Sequence, residues 1–184
     1  MDGTNVGRSE AARVRLLILD VDGVLTDGRL LYGPEGEVLK AFDVKDGLGL
    51  KLLMREGIEV AIISARNAPA LRKRLSELGV ARLYLGRSDK EAALNELLSE
   101  LSVDLEDVAY CGDDVLDLPV LRCVGLSIAP ADAHPKVRDE VAWVTDRPGG
   151  RGAVREIADW LLEARGRLDD AVQELLHSKT RRDT

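Results

Sequence analysis

The sequence has only two cysteines, Cys111 and Cys123, among its 184 residues. They form no CxxC pair and suggest no disulfide framework, so we expect two buried free thiols. Long apolar runs are also missing, since the longest have the length of a strand and fall well short of the ~20 residues that span a bilayer. The opening stretch MDGTNVGRSEAAR has no apolar core of the signal-peptide kind, which predicts a cytoplasmic protein.

An excess of basic charge is absent as well. The formal net charge is −7 and the sequence pI is near 5.0, which argues against nucleic acid or an anionic membrane as a partner. A small anionic substrate stays compatible with this charge, because a few local lysines and arginines can outweigh the global sign. Hydrophobic residues make up 45% and charged residues 32%, and this composition and length predict a single globular domain over residues 1–184.

Apolar runs of strand length alternate with amphipathic segments of helix length. This alternation predicts an α/β fold with a parallel sheet covered by helices. The strands are predicted at 14–20, 58–64, 81–86, 107–112, 124–129 and 141–145, and the helices near 47–56, 67–78, 89–101 and 151–164. Residues 29–42 differ, since two β-type runs around a Pro-Glu-Gly turn predict a hairpin inserted after the first strand. Residues 166–184 are predicted to form a C-terminal helix and a mobile tail.

Polar residues follow several of the predicted strands, and in open parallel sheets ligands bind beyond the carboxyl ends of the strands. They are Asp20 and Asp22 after the first strand, Ser64 and Arg66 after the second, Lys90 at the start of the helix near 89–101, and Asp113, Asp114 and Asp117 after the fourth strand. Together they supply an acidic cluster, a hydroxyl and an ammonium. These are the groups that a Mg²⁺-bound phosphate needs.

Most of these signals have a simpler interpretation when each is taken alone. Asp20 and Asp22 could be turn residues, Asp113 and Asp114 could cap the following helix, and Ser64 could be a loop hydroxyl. Their common position at one edge of the sheet favours a site.

Lys90 is harder to explain by local structure. The stretch SDKE fits a capping box through Ser88 and Glu91, which would put Lys90 in the first helical turn. The helix dipole disfavours a cation there, so a lysine is easier to explain if it faces an anion.

In order along the chain, four features resemble the four motifs of the haloacid dehalogenase superfamily of phosphatases. They are DVDGVLTDG, Ser64 after the second strand, Lys90 before a helix, and GDDVLD. Further stretches are similar to the 3-deoxy-D-manno-octulosonate 8-phosphate (KDO 8-phosphate) phosphatases: GEVLKAFDVKDGLGLKLL, SDKEAAL, VAYCGDDVLDLPVL, VGLSIAPADAHP and GGRGAVREI. The resemblance covers about residues 14–165.

The resemblance implies a Rossmann-like three-layer sandwich with a mainly parallel sheet, the hairpin at 29–42 and no large cap domain. It also implies Mg²⁺-dependent hydrolysis of a sugar-acid phosphate through an aspartyl-phosphate, as a step of lipopolysaccharide inner-core biosynthesis.

Site residues carry over from the resemblance position by position. Asp20 matches the nucleophile and a metal ligand, Asp22 matches the general acid/base and gives the metal its backbone carbonyl, and Asp113 matches the remaining carboxylate ligand. Ser64 and Lys90 match the residues that hold the phosphate. The positions that match substrate contacts are Asp22, Asp43, Val44, Lys45, Asp46, Gly47, Lys51, Arg66, Arg74 and Lys90.

Three positions depart from the family pattern, with Ala65 where glycine, Lys51 where arginine and Leu85 where glutamine is frequent. None is a catalytic position, so the departures concern the sugar rather than the chemistry. Arg66 is predicted to bind the substrate carboxylate, since a guanidinium fork suits that group. Arg74 could do the same or could belong to a solvated helix face.

Other functions remain open at this point. A phosphatase for a nonulosonate (sialic-type) 9-phosphate would share fold, metal and nucleophile, and only the pocket, where Arg66 favours the octulosonate, would differ. A receiver-like phosphoacceptor would also have a strand-end aspartate, a hydroxyl and a lysine, but it has no reason to keep an acid such as Asp22. A pseudo-enzyme is hard to support when every catalytic position is filled.

The hairpin at 29–42 bears on assembly. A lone two-stranded hairpin is marginally stable, and its apolar arms RLLY and EVLKAF either fold back on their own domain or pair with another chain. The resemblance implies a homotetramer in which hairpins associate and neighbouring subunits wall each other's active sites. The interface candidates are Leu30, Leu31, Val38 and Leu39.

Overall fold

The structure, a computed structural model, describes residues 7–180 and the side chains of residues 7–177. Its strands are β1 (Leu16–Leu19), β2 (Leu31–Gly33), β3 (Gly36–Leu39), β4 (Glu59–Ser64), β5 (Arg82–Leu85), β6 (Val108–Cys111), β7 (Leu126–Ala129) and β8 (Trp143–Val144). Its α-helices are α1 (Arg8–Arg13), α2 (Val44–Arg55), α3 (Pro69–Leu78), α4 (Lys90–Leu101), α5 (Leu118–Leu121), α6 (Pro135–Arg138), α7 (Ala153–Ala164) and α8 (Leu168–Thr180).

Six strands form one parallel sheet in the order β5-β4-β1-β6-β7-β8. Each predicted strand contains one of these, and the four predicted helices correspond to α2, α3, α4 and α7, so the predicted α/β fold is confirmed. The short helices α1, α5 and α6 were not predicted, because segments of four to six residues are too short to show a helical period.

Two buried clusters cover the two faces of the sheet. Leu17 and Leu19 of β1 belong to the cluster that contains buried residues of α2, α3 and α7, and Leu16 and Ile18 belong to the cluster that contains those of α4 and α5. All four side chains are fully buried. Because both faces are covered by helices, β1 appears in the sequence as a continuous apolar run rather than an alternating one.

The loop after β1 is supported by a turn from the far end of the chain. Gly149 and Gly150 lie so close to it that a Cβ atom on either would overlap the backbone of Gly23 or Thr26. The backbone N–H of Gly150 also donates to the carbonyl of Val24 at 2.9 Å. The two glycines therefore form a flat backbone surface that fixes where the loop after β1 runs.

Strands β2 and β3 form a separate antiparallel hairpin, as predicted for residues 29–42. Leu31, Tyr32, Val38 and Leu39 are exposed by 50%, 64%, 57% and 62%, respectively. Leu31 and Leu39 are cross-strand partners and so lie on one face of the hairpin. The hairpin thus presents an apolar face to its surroundings.

Two sequence predictions need comment. Cys111 is buried in β6, but the prediction of a buried thiol is wrong for Cys123, which is exposed because it lies where the chain turns after α5. Helix α8 fits the predicted C-terminal helix, whereas residues 1–6 and 181–184, which include the end of the predicted tail, lie outside the described residues. Within residues 7–180 no helix has the length and apolar character needed to cross a membrane.

Candidate active site

The strand order reverses next to β1. The chain runs from β1 outward to β4 and β5, and then returns to the other side of β1 to place β6, β7 and β8. Ligands of such sheets bind beyond the carboxyl ends of the strands at this reversal. Asp20 directly follows β1 and Asp113 follows β6, so the topology places both at this point.

A cavity of about 410 Å³ opens at this edge of the sheet. The predicted site residues that line it are Asp20, Asp22, Ser64, Arg66, Lys90 and Asp113. Asp117 and the exposed side chain of Leu116 also line it. Residues from four separate strand ends and loops therefore meet in one pocket.

Asp20 lies at the bottom of this pocket and is 8% exposed. One carboxylate oxygen is 3.1 Å from the Nζ atom of Lys90. Burial, aided by the negative charge of Asp117, raises the pKa of Asp20 to about 6 against the opposing effect of Lys90. The carboxylate thus lies in a site where added positive charge would be favourable.

Lys90 is the first residue of α4, but the capping box predicted through Ser88 and Glu91 is wrong. The N-cap is Asp89, whose side chain accepts from the backbone N–H of Ala92 at 2.9 Å, because the helix begins one residue later than a cap at Ser88 requires. Lys90 is buried in the first turn as expected.

The anions that Lys90 faces are carboxylates. Its Nζ atom donates to Asp117 at 2.6 Å and lies near Asp20. Burial alone would lower the pKa of Lys90, but the two carboxylates together outweigh burial and raise it. Lys90 therefore stays a cation and holds a charge beside Asp20.

Asp117 is 1% exposed and is saturated by donors. One oxygen accepts from Lys90 and from the hydroxyl of Tyr110 at 2.5 Å, and the other accepts from the backbone N–H groups of Asp113 at 3.1 Å and Asp114 at 3.3 Å. Asp117 therefore orients its neighbours. Its position in GDDVLD was the only sign in the sequence of a role at the site, and its partner Tyr110 gave no sign.

Asp113 approaches the loop after β1 very closely. A Cβ atom at Gly23, whose φ is +95°, would overlap the carboxylate of Asp113, so only glycine fits there. Burial, together with the charges of Asp20 and Asp117, raises the pKa of Asp113 to about 8. A buried carboxyl with this tendency to hold a proton is one that a cation would stabilise in its charged form.

Oxygen atoms of Asp20, Asp113 and Asp117 lie within 4.8 Å of one another. Carboxylate oxygens are the ligands that Mg²⁺ prefers, so this cluster fits a hard divalent cation, with the oxygens of Asp117 already occupied by hydrogen-bond donors. Asp114 does not belong to the cluster, since its side chain caps the 3₁₀ turn Val115–Asp117 and accepts from Val115 at 2.7 Å. The capping interpretation is therefore correct for Asp114.

Asp22 lines the same pocket and belongs to a network of ion pairs that the sequence did not predict. One of its carboxylate oxygens accepts from the ammonium of Lys40, and the other is 3.5 Å from Nε of Arg66. Lys40 also pairs with Glu37 at 3.0 Å. Lys40 and Glu37 belong to the hairpin segment, and no spacing in the sequence connects that segment with Asp22.

Ser64 is the last residue of β4 and is 2% exposed. Its hydroxyl oxygen accepts from the backbone N–H of Arg66 at 3.2 Å. This contact bends the chain after β4 so that Ser64 and Arg66 both line the pocket.

The remaining predicted substrate contacts do not line this cavity within the described chain. They are Asp43, Val44, Lys45, Asp46, Gly47, Lys51 and Arg74. Asp43 caps α2 by accepting from Lys45 at 2.7 Å. Asp46 is buried, and its carboxylate accepts from the backbone N–H groups of Gly152 at 3.4 Å and Arg155 at 2.8 Å, thereby joining α2 to the start of α7.

Burial raises the pKa of Asp46 to about 6. Gly47 lies directly against the guanidinium of Arg74, which is three-quarters buried. Lys51 lines a different groove, between α2 and the end of α3. In this single chain, Asp46, Gly47 and Arg74 therefore pack against structural neighbours, and none of the seven residues lines the cavity.

Comparisons with known proteins agree with this architecture. Residues 76–157 match the family model of the haloacid dehalogenase-like hydrolases. The 3-deoxy-D-manno-octulosonate 8-phosphate phosphatase of Salmonella typhi is 51% identical over 163 residues, which cover 89% of this chain and 87% of that protein.

Solved structures give the same result. The 3-deoxy-D-manno-octulosonate 8-phosphate phosphatase of Yersinia pestis is 49% identical with a TM-score of 0.88, and the match covers 90% of this chain and 89% of that chain. The enzyme of Moraxella catarrhalis, in complex with a magnesium ion, a phosphate ion and KDO, is 37% identical with a TM-score of 0.88, covering 91% of this chain and 97% of the other. This chain belongs to the family of 3-deoxy-D-manno-octulosonate 8-phosphate phosphatases within the haloacid dehalogenase-like hydrolases.

Proposed function

We propose that this chain hydrolyses 3-deoxy-D-manno-octulosonate 8-phosphate to KDO and phosphate, with Mg²⁺ as its cofactor. The observation that carries the proposal is the meeting of Asp20, Asp113, Lys90 and Ser64 in one pocket at the strand reversal. The 51% identity to a phosphatase of this name supports the substrate. The cytoplasm is the proposed location.

The metal site is proposed to consist of Asp20, Asp113 and the backbone carbonyl of Asp22. Asp117 is left out of the ligand set because each of its oxygens already accepts two hydrogen bonds. When bound, the cation neutralises charge on the transferring phosphoryl group. The raised pKa values of Asp20 and Asp113 support the assignment, since burial and the neighbouring carboxylates outweigh the positive charge of Lys90 at both groups.

Asp20 is the proposed nucleophile. Its carboxylate attacks phosphorus, and the bond between phosphorus and the sugar oxygen breaks to leave an aspartyl-phosphate. Lys90 lies 3.1 Å from Asp20 and is placed to stabilise phosphoryl oxygens, together with the hydroxyl of Ser64. Water then hydrolyses the aspartyl-phosphate, which releases phosphate and restores Asp20.

Asp22 is the proposed general acid and base. It gives its proton to the departing sugar oxygen and then takes a proton from the water that attacks the intermediate. Its carboxylate contacts Lys40 and Arg66 rather than Lys90, so the structure separates it from the charges around Asp20. This separation favours an enzyme over a receiver-like phosphoacceptor, which needs no second carboxyl of this kind.

Arg66 is the proposed partner of the substrate carboxylate. Its side chain is 42% exposed, lines the pocket and makes only long ion pairs, of 3.5 Å to Asp22 and 3.9 Å to Glu37. It can therefore turn to an incoming anion with little loss. Arg66 favours the octulosonate over a nonulosonate 9-phosphate, which stays the alternative substrate.

The remaining predicted contacts are proposed to serve through assembly. We infer a homotetramer formed through the hairpin, in which a neighbouring subunit helps to wall the pocket. The exposed faces of Leu31, Val38 and Leu39 support an apolar interface, and Leu30 lines the cavity itself. In such an assembly, the candidates for contacts with a substrate bound at a subunit boundary are residues 43–47, Lys51 and Arg74.

Replacing Asp20 by asparagine is expected to abolish turnover of KDO 8-phosphate, because the amide is not a nucleophile. The variant should remain folded, since the volume is kept and a buried charge is removed. Phosphate release and thermal unfolding measure both properties. Asp104→Asn, at an exposed aspartate without a side-chain bond to the helix it precedes, is the matched control and should be fully active. Near-native activity of Asp20→Asn would show that the nucleophile is misassigned.

Binding of Mg²⁺ at pH 7 is expected to release protons. The pKa of Asp113 is raised to about 8 and that of Asp20 to about 6, so the metal-free site holds protons that the cation must displace. Affinity for Mg²⁺ should therefore rise as the pH rises through this range. Titration calorimetry in buffers of different ionisation enthalpy measures the proton release, and a value of zero at pH 7 would contradict the prediction.

Replacing Arg66 by alanine is expected to reduce kcat/KM for KDO 8-phosphate about ten- to a hundredfold, which corresponds to roughly 1.5–3 kcal/mol for a charge-assisted contact. The kcat/KM for a neutral sugar phosphate should fall much less. The ratio of the two losses cancels any effect that the substitution has through Asp22, since both substrates use that residue. The kcat/KM of Arg66→Lys for KDO 8-phosphate should lie between those of the wild type and Arg66→Ala, because lysine keeps the positive charge but lacks the two-pronged guanidinium. Equal losses on both substrates would exclude the carboxylate role.

Light scattering is expected to give four times the chain mass of 20.1 kDa. The double variant Leu31→Asp/Leu39→Asp should give a smaller species with reduced activity, because it charges the apolar face of the hairpin. The control is Leu105→Asp, at a leucine that is 40% exposed elsewhere on the surface. A fully active wild-type monomer would overturn the proposed assembly.

A further inference from the structure

Four charged side chains form a closed ring between the hairpin and the pocket. Lys40 lies between Asp22 and Glu37, and Arg66 lies between the same two carboxylates on the other side. Two of the four residues come from the hairpin segment, and the other two follow β1 and β4. The ring is therefore a direct link between the hairpin and the wall of the pocket that carries Asp22.

The two cations of the ring differ in how firmly they are held. The side chain of Lys40 is 1% exposed and makes its two ion pairs at short range, whereas Arg66 is 42% exposed and its ion pairs are 3.5 and 3.9 Å long. Lys40 is thus the fixed member of the ring, and Arg66 is the member that can leave it for a substrate.

We propose that Lys40 is a positioning residue for the reaction: it holds the carboxyl group of Asp22 in the orientation from which the proton is given to the departing sugar oxygen, and it makes that orientation depend on the docked hairpin. This inference rests on the proposed function, in which Asp22 is the general acid and base. Lys40 lines no part of the cavity in the described chain, so it acts through Asp22 and not on the substrate.

The energetics of buried ion pairs support a positioning role over simple stabilisation. Taking an ammonium and two carboxylates out of water costs free energy that their attraction scarcely exceeds, and apolar side chains of the same shape would hold the hairpin as well. The charged ring, unlike apolar side chains, also fixes the orientation of the Asp22 carboxyl group. Asp22 accepts on Oδ1 from Lys40, and its Oδ2 faces Arg66 in an ion pair of 3.5 Å, so two different cations engage the two oxygens and restrict rotation of the carboxyl group.

The test compares two substrates that differ in their need for a general acid. KDO 8-phosphate releases an alkoxide-type oxygen that requires a proton, whereas p-nitrophenyl phosphate releases a stabilised phenolate that does not. Lys40→Met should lower kcat on KDO 8-phosphate about ten- to a hundredfold, since a small misplacement of a catalytic group has effects of this size. The KM should change less, and turnover of p-nitrophenyl phosphate should fall less than that of KDO 8-phosphate, because with that substrate Asp22 is needed only as the base for the second step.

Matched variants separate this role from a general loss of structure. Lys73→Met, at an exposed lysine of α3, should leave both activities at the wild-type level. Lys40→Arg keeps the charge and should recover part of the loss, with the larger recovery on KDO 8-phosphate. Thermal unfolding, Mg²⁺ titration and light scattering show which variants retain the folded assembly, and if Lys40→Met does not, the same substrate comparison on Lys40→Arg decides.

Each result supports or overturns the inference. A selective loss on KDO 8-phosphate supports it, whereas equal losses on the two substrates, or no loss on either, would overturn it. Wild-type enzyme without activity on KDO 8-phosphate but active on p-nitrophenyl phosphate would instead refute the proposed substrate. If the wild-type enzyme hydrolyses KDO 8-phosphate and Lys40→Met loses activity equally on both substrates, the role of Lys40 is refuted and the proposed substrate is retained.

Discussion

The geometry of the pocket depends on one buried carboxylate, that of Asp117. A charge that is 1% exposed is tolerated only when it is fully hydrogen-bonded, and Asp117 accepts from the ammonium of Lys90, the hydroxyl of Tyr110 and two backbone N–H groups. The two backbone donors belong to the loop after β6, so the same carboxylate fixes the path of that loop and the position of Lys90. Asp113 and Asp20 lie around this centre, and neither could be held as closely to the other without the cation that Asp117 anchors.

Sheet topology explains why so much of this could be predicted from the sequence. A parallel sheet brings the carboxyl ends of its strands to one edge, so the residues that follow apolar runs are expected to meet. Asp20, Ser64 and Asp113 all follow such runs, and the structure places them in one pocket. Their local positions were set by the strands themselves, which are buried on both faces and have little freedom to shift.

Predictions that depended on side-chain contacts between distant segments could not be made in this way. In the sequence, Lys40 and Glu37 are ordinary polar residues of a hairpin and Tyr110 is an ordinary strand residue. Only the fold shows that Lys40 contacts Asp22 and that Tyr110 donates to Asp117. Ser88 also fitted a capping pattern, but α4 begins at Lys90 and Asp89 is its cap. Packing of whole elements decides such details, and sequence patterns do not contain it.

The turn at Gly149 and Gly150 also affects the order in which the pocket can form during synthesis. A ribosome releases Asp20, Ser64, Lys90 and Asp113 before it reaches these glycines, so a nascent chain carries every side chain of the proposed chemistry while the loop after β1 still lacks its backing surface. The glycines fit against Gly23 and Thr26 without room for a Cβ atom, so no residue with a side chain fits at either position. The pocket can therefore take its final shape only after residues 149 and 150 have been synthesised, although every side chain of the proposed chemistry precedes them.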